Sequence, residues 1–128
     1  MCIRDSRITV HLVGGRVRGT TMSAVDRWAI KTLESVNCDV AVLGTNGFSV
    51  ERGLTTPDVA ESAVKGAMVR AAARRIVVAD SSKYGTDSFS RFASLADVDT
   101  LVTDGTLLES HPEAAGALRA AGPELVIA

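Results

Sequence analysis

The short run Asp80-Ser81-Ser82-Lys83 comes directly after the apolar stretch Ile76-Val77-Val78-Ala79. A carboxylate, two hydroxyls and an ammonium are thereby delivered to the end of what reads as a buried parallel strand. Ligands of open α/β sheets bind at the carboxyl ends of strands. A lysine beside hydroxyls and free backbone N–H groups is suited to a phosphate or another small anion. Two further strand ends are similarly polar, Gly44-Thr45-Asn46-Gly47 and Thr103-Asp104-Gly105. Adjacent parallel strands would bring all three to one rim. Gly44 and Gly47 let backbone approach a ligand closely. Thr55 and Thr56 stand before a helix, where anions are favoured. The expected outcome is a shallow polar crevice with one cation and many donors, better matched to a phosphorylated polyol than to a flat aromatic ligand.

Each part also has a plain structural explanation. Gly44 to Gly47 could be only a turn. Thr55-Thr56-Pro57-Asp58 caps a helix. Asp80 could cap nearby backbone, and Lys83 could be solvated. Glu61 and Lys65, one helical turn apart, read as a surface ion pair of little energetic weight. Asp97 and Asp99 read as a solvated strand entrance. The coincidence of several such elements at one rim favours a ligand site. No Ser/His/Asp or Cys/His spacing marks a nucleophile. The Walker pattern and the strand-linked Gly-x-Gly-x-x-Gly fingerprint are also absent. Asp80, Asp104 and Glu51 are possible bases without an evident acid partner.

The elements that would position these groups are legible from periodicity. Arg7 to Val13 is β-branched and reads as a strand. Ser23 would open a helix, with Asp26 at capping-box spacing and Val25, Trp28, Ala29, Leu33 and Val36 forming its apolar stripe. Asp39–Leu43 reads as a second strand. The stretch from Gly44 to Thr56 reads as loop. Thr56 as N-cap and Pro57 at the first position would start a helix reaching about Arg74. Ile76–Ala79 is a third strand. Ser81 to Asp99 is a long connection with Phe89, Phe92 and Leu95 tucked beneath it. Thr100–Asp104 is a fourth strand, Pro112–Ala121 a short helix, and Leu125–Ala128 a last strand. Alternation of helices with near-continuous apolar strands predicts one α/β domain. Its architecture would be three-layer, a mainly parallel sheet with helices on both faces.

Composition bounds the function. In 128 residues, 46% are apolar and 14 basic side chains face 15 acidic ones, for a net charge of −1. That balance argues against this segment holding nucleic acid by itself. The densest basic spot, Arg70 with Arg74-Arg75, reads as a favourable helix C-terminus. Cys2 and Cys38 form no disulfide framework, which points to a reducing cytoplasm. Cys38 reads as a small buried residue. His11 and His111 have no neighbouring ligand pattern, so no metal is assigned. No cofactor motif appears, and no apolar run approaches the roughly 18 residues of a membrane span. Met1 to Ser6 has neither period nor signal-peptide character. It reads as a non-native scar, leaving residues 7–128 as a partial domain.

The run from Asp39 through Asp104 resembles the effector-binding domain of DeoR-family transcriptional regulators. Five ordered motifs carry the likeness: Asp39–Gly47, Glu51–Asp58, the helix with Glu61, Val64 and Lys65, Ala79–Lys83, and Asp97–Asp104. Gly53-Leu54-Thr55-Thr56-Pro57-Asp58 is the most specific. Val13-Gly14-Gly15 is compatible with a strand end of that family, Thr45 stands where Ala is common, and Tyr84 where Phe is. The resemblance implies a fold similar to ribose-5-phosphate isomerase and CoA-transferase-like proteins. It implies a sensor of a phosphorylated sugar, forming a homo-oligomer and touching operator DNA only through an N-terminal winged helix-turn-helix that this chain lacks. Carried over, Asn46, Gly47, Thr55, Lys65, Ser82 and Lys83 become ligand contacts beside Asp80, with Lys83 on the phosphate. The alternative is a sugar-phosphate isomerase, which needs a carboxylate base near the sugar carbonyl. A purely structural oligomerisation domain is the third reading. Fold likeness alone does not separate them.

Overall fold

A computed structural model of the chain describes residues 7–128. The hexapeptide read as a scar lies outside the described residues. The elements run β1 (Arg16–Val17), β2 (Ala24–Val25), α1 (Asp26–Glu34), β3 (Cys38–Leu43), β4 (Gly47–Ser49), β5 (Gly53–Thr56), α2 (Val59–Ala71), β6 (Ala72–Val78), β7 (Ser90–Ala93), β8 (Thr100–Thr103), α3 (Thr106–Ser110), α4 (Ala114–Ala120) and β9 (Glu124–Ile127). The α/β class is as expected. Its main sheet is wholly parallel in the order β3-β6-β8-β9.

Alternation along these strands builds the main core. Leu43, Val77, Leu101 and Leu125 are buried on one face and pack with Val69, Leu107, Ala114 and Leu118 from the helices. Each such side chain taken from water contributes about 1.5–3 kcal/mol. The alternate residues Val40, Val42, Val78 and Val126 remain exposed. A second cluster joins Val25, Ala29 and Leu33 to Val64 and Ala67 of α2. Helix α2 is thus the shared wall of both clusters, and it packs on α1, β2, β3, β5, β6 and β7.

Several expectations are corrected. Residues 7–13 form no strand, and Ile8, Val10 and Leu12 lie exposed. Among the described residues β3 pairs with β6 alone, and residues 7–13 join no ladder. Ser23 does not cap α1: the N-cap is Val25, and Asp26 pairs with Arg16 at 2.6 Å. Trp28 lies on the exposed face of α1 and Val36 beyond its end, and the helix buries Ala29 and Leu33. Asp58, not Thr56, caps α2 by accepting from the Glu61 N–H. That helix stops at Ala71, and β6 begins at once. Pairing of Ala72 with Cys38 and of Arg74 with Val40 overrides the helical propensity of the alanine run. Arg74 and Arg75 therefore sit on a strand rather than at a helix end.

The stretch read as loop between Gly44 and Thr56 is a hairpin, β4–β5, extended by β7 into a three-stranded antiparallel sheet. Its strands are too short for periodicity to reveal. Within the long connection Leu95 is buried, but Phe89 is exposed. Cys38 is exposed on the edge strand rather than buried. Helix α3 has no counterpart among the expected elements.

Candidate functional site

The parallel order places the ends of β3, β6 and β8 side by side, so the three polar strand ends do share one rim. Asp104 holds two of them together. Its Oδ2 accepts from the Ser81 N–H at 2.7 Å and its Oδ1 from the Thr106 N–H at 3.0 Å. Bonds from Ser81 and then Thr106 hold the Asp104 carboxyl down to about 2. Asp80 caps the turn after it: it accepts from the Ser82 N–H and from the Ser82 hydroxyl. The Ser82 hydroxyl bond, first, and Lys83 among lesser causes hold the Asp80 carboxyl below its ordinary range. Asp104→Ala is expected to free the Ser81 and Thr106 amides. Hydrogen exchange at those two amides should accelerate while the Val77 and Leu101 amides stay protected; unchanged exchange would remove Asp104 as the tie.

The hairpin end is equally connected. Thr45 Oγ1 donates to the Gly47 carbonyl at 2.8 Å, with the Thr55 carbonyl at 3.0 Å. Thr56 Oγ1 donates to Asn46 Oδ1 at 2.9 Å. Thr55 Oγ1 donates to the Gly47 carbonyl at 3.3 Å and accepts from the Ser88 N–H at 2.9 Å. Thr55 is only 2% exposed. It therefore stands under the rim as a support. Gly47 is buried, and a Cβ there would lie 2.0 Å from the Thr86 carbonyl oxygen. Its missing side chain lets the loop after Lys83 lie on β4, where Gly85 donates to the Phe48 carbonyl.

Lys65 does not pair with Glu61 as expected. Its Nζ reaches the Gly44 carbonyl at 2.9 Å and lies 5.3 Å from the centre of the Phe92 ring. Burial pushes its pKa down, opposed by the field of Glu61. Glu61 instead turns to the β1–β2 hairpin. It accepts from Arg18 Nη1 at 2.6 Å, from Ser23 Oγ at 2.7 Å and from the Thr21 hydroxyl. Arg18 also meets Asp58 at 3.3 Å. Bonds from Thr21 first, then Ser23 and Arg18, hold the Glu61 carboxyl down to about 2, against the effect of burial. Sequence reasoning missed this cluster. Its members lie some forty residues apart, and no local spacing signals such a pair.

The predicted contacts thus divide. Asn46, Asp80 and Ser82 are exposed on the rim, Lys65 and Lys83 are half-buried there, and Gly47 and Thr55 are buried beneath it. Asp97 and Asp99 are bound to Ser94 and Arg75 respectively, away from the rim. Among the described residues no group of three metal-ligating side chains occurs. No helix there is long and apolar enough to cross a membrane.

The sequence profile of the DeoR C terminal sensor domain matches residues 1–105. The chain is 47% identical over 98 residues to the HTH-type transcriptional regulator GlpR of Haloferax volcanii, covering 77% of this chain and 38% of that protein. It is 36% identical over 97 residues to the uncharacterized HTH-type transcriptional regulator FruR of Bacillus subtilis, covering 76% of this chain and 39% of that one. Identity to the HTH-type transcriptional repressor GlcR of Bacillus subtilis is 34% over 97 residues, covering 76% and 37%. The chain therefore spans less than half the length of these curated relatives. A match over most of the chain places this protein in the DeoR C terminal sensor domain family.

Proposed function

We propose that this chain is the effector-binding part of a transcriptional regulator of sugar metabolism, and that its rim takes a phosphorylated sugar. The observation that carries the reading is Lys83. Among the described residues it is the rim cation with neither an ion-pair nor a hydrogen-bond partner, while Lys65 is engaged by Gly44. An unpaired ammonium beside the N–H groups of a tight turn is a receptor for a phosphate ester. Asn46, Ser82 and Asp80, exposed on the same rim, would meet sugar hydroxyls. Occupancy would shift the full-length protein between operator-bound and released states, the DNA being held by a helix-turn-helix domain outside this segment. Cytoplasmic location and self-association belong to the same proposal.

Sensing is favoured over isomerisation by the state of the rim carboxylates. Asp80 and Asp104 both cap backbone and both have lowered pKa values, which makes them weak bases. Calorimetric titration of the folded domain with a panel of sugar phosphates tests the proposal. Lys83→Ala should weaken a phosphate ester about tenfold or more and leave the weaker binding of the free sugar unchanged. Equal losses would remove Lys83 from the phosphate, and binding of no sugar phosphate by the folded domain would overturn the reading. Turnover of ribose 5-phosphate would favour the isomerase. A melting temperature unmoved by every ligand would favour a purely structural role.

A further inference from the structure

The turn that carries Lys83 is held at both ends by one short helix, α3. At its start the Ser81 N–H donates to Asp104 Oδ2, whose other oxygen takes the N–H of Thr106, the first residue of α3. At its finish Tyr84 meets His111, the residue that closes α3. The two ring centres lie 5.0 Å apart in an edge-on arrangement. His111 is itself fixed. Its N–H donates to the Leu107 carbonyl at 2.8 Å, and its carbonyl accepts from the Ala114 N–H at 2.9 Å. Leu107 and Ala114 are fully buried. The Tyr84 ring also tilts against the buried Phe48, with centres 5.6 Å apart. Tyr84 thus joins the core to the turn. Imidazole is the side chain whose charge changes between about pH 5 and 8. Burial first, then the fields of Glu113 and Glu51, push the Tyr84 phenol up. The phenol therefore stays neutral over that range, and His111 is the member of the pair that titrates. The His111 side chain is 45% exposed, with Nδ1 4.0 Å from Glu113 Oε1. Glu113, Glu109 on α3 and Glu51 in the β4–β5 turn favour an imidazolium here, as do Asp80 and Asp104 at the turn, and Lys83 opposes it.

We propose that His111 is a positioning residue for the phosphate: through the Tyr84 ring it holds the Ser81–Lys83 turn in its binding geometry, and more firmly when protonated. The proposal rests on the sugar-phosphate reading of the rim. An imidazolium 5.0 Å from the ring centre is within reach of the ring's quadrupole. It also gains the ion pair with Glu113, which fixes its orientation. The apparent affinity of a site rises with the fraction of molecules that hold the competent geometry. Protonation of His111 should therefore tighten anion binding about two- to fivefold.

Inorganic sulfate keeps its charge between about pH 5.5 and pH 8, across the histidine range, and serves as the probe. The amide resonances of Ser81 to Tyr84 report its binding to the folded chain. Wild type should bind sulfate about two- to fivefold more tightly at the lower pH. His111→Gln, its fold checked by circular dichroism, should bind equally at both. Tyr84→Phe, which keeps the ring, should retain the wild-type profile, and Tyr84→Ala should flatten it. A role confined to fold stability would lower affinity alike at both pH values. By reciprocity, saturating sulfate should raise the pKa of His111 in the wild type and leave that of His11 unmoved. A wild type that binds no more tightly at the lower pH would overturn the proposal. So would a His111→Gln or Tyr84→Ala variant with the wild-type profile, or a His111 titration unmoved by sulfate. Failure of sulfate and of every sugar phosphate to shift the Ser81 to Tyr84 amides would instead sink the reading of the rim.

Discussion

Glu61→Ala is expected to lower the stability of the domain by about 2–3 kcal/mol, because it removes the acceptor shared by a part-buried guanidinium and two hydroxyls. For a chain of this size that is a fall of about 10 °C in Tm. Glu61 is 8% exposed and serves three donors of the β1–β2 hairpin at once. Removing the carboxylate leaves Arg18 with Asp58 alone and takes the shared acceptor from the hydroxyls of Thr21 and Ser23. The pH dependence has a defined sign. The carboxyl is held at about 2, against an ordinary value near 4.5. A depressed pKa contributes stability that is complete above the unfolded value and is lost as pH falls through the folded one. Wild-type stability should therefore decline between about pH 4.5 and pH 2 by an amount that Glu61→Ala abolishes. Denaturant unfolding at a series of pH values measures both. Coincident wild-type and variant curves would show that the Glu61 cluster contributes nothing.

Gly47→Ala should destabilise by about 3 kcal/mol or more, while Gly44→Ala should change stability by less than about 1 kcal/mol. The two glycines belong to one tetrapeptide, yet a Cβ at Gly47 would stand 2.0 Å from the Thr86 carbonyl oxygen, and one at Gly44 meets nothing within 4 Å. Backbone cannot yield as a flexible side chain does. The loop carrying Lys83 must therefore lift from β4, breaking the bond from Gly85 to the Phe48 carbonyl. Loss of sugar-phosphate binding should accompany the loss of stability in Gly47→Ala, even in the fraction that remains folded. Paired unfolding and titration experiments on the two variants decide the matter. Similar behaviour of both would mean that the close approach is not what constrains this turn.

Much of the architecture is legible in the sequence. Asp39–Leu43, Ile76–Ala79, Thr100–Asp104 and Leu125–Ala128 each overlap a strand of the parallel sheet, because their residues are apolar on both faces and read as runs, although Val40, Val42, Val78 and Val126 lie exposed on the second face. The rim is legible by the same logic, since parallel strands bring the residues at their carboxyl ends to one edge of the sheet. Periodicity does not reveal elements of two to five residues: the hairpin β4–β5, the strand β7 and the helix α3. Nor does it reveal where α2 hands over to β6, since the alanines there favour a helix until a partner strand claims them.

The amino-acid sequence alone determined the α/β class, the order of the strands along the chain and the polar composition of their ends, because these depend on local runs of residue type. Only the tertiary structure decided which polar groups remain available. It committed Glu61 to Arg18 rather than Lys65, sank Thr55 beneath the rim, and made Gly47 a point of contact between two loops. It also left residues 7–12, a strand by composition, without a ladder, because a strand exists only where a neighbour accepts its hydrogen bonds. Hydrogen-bond partners and close approaches join residues far apart in sequence, and no local pattern encodes them.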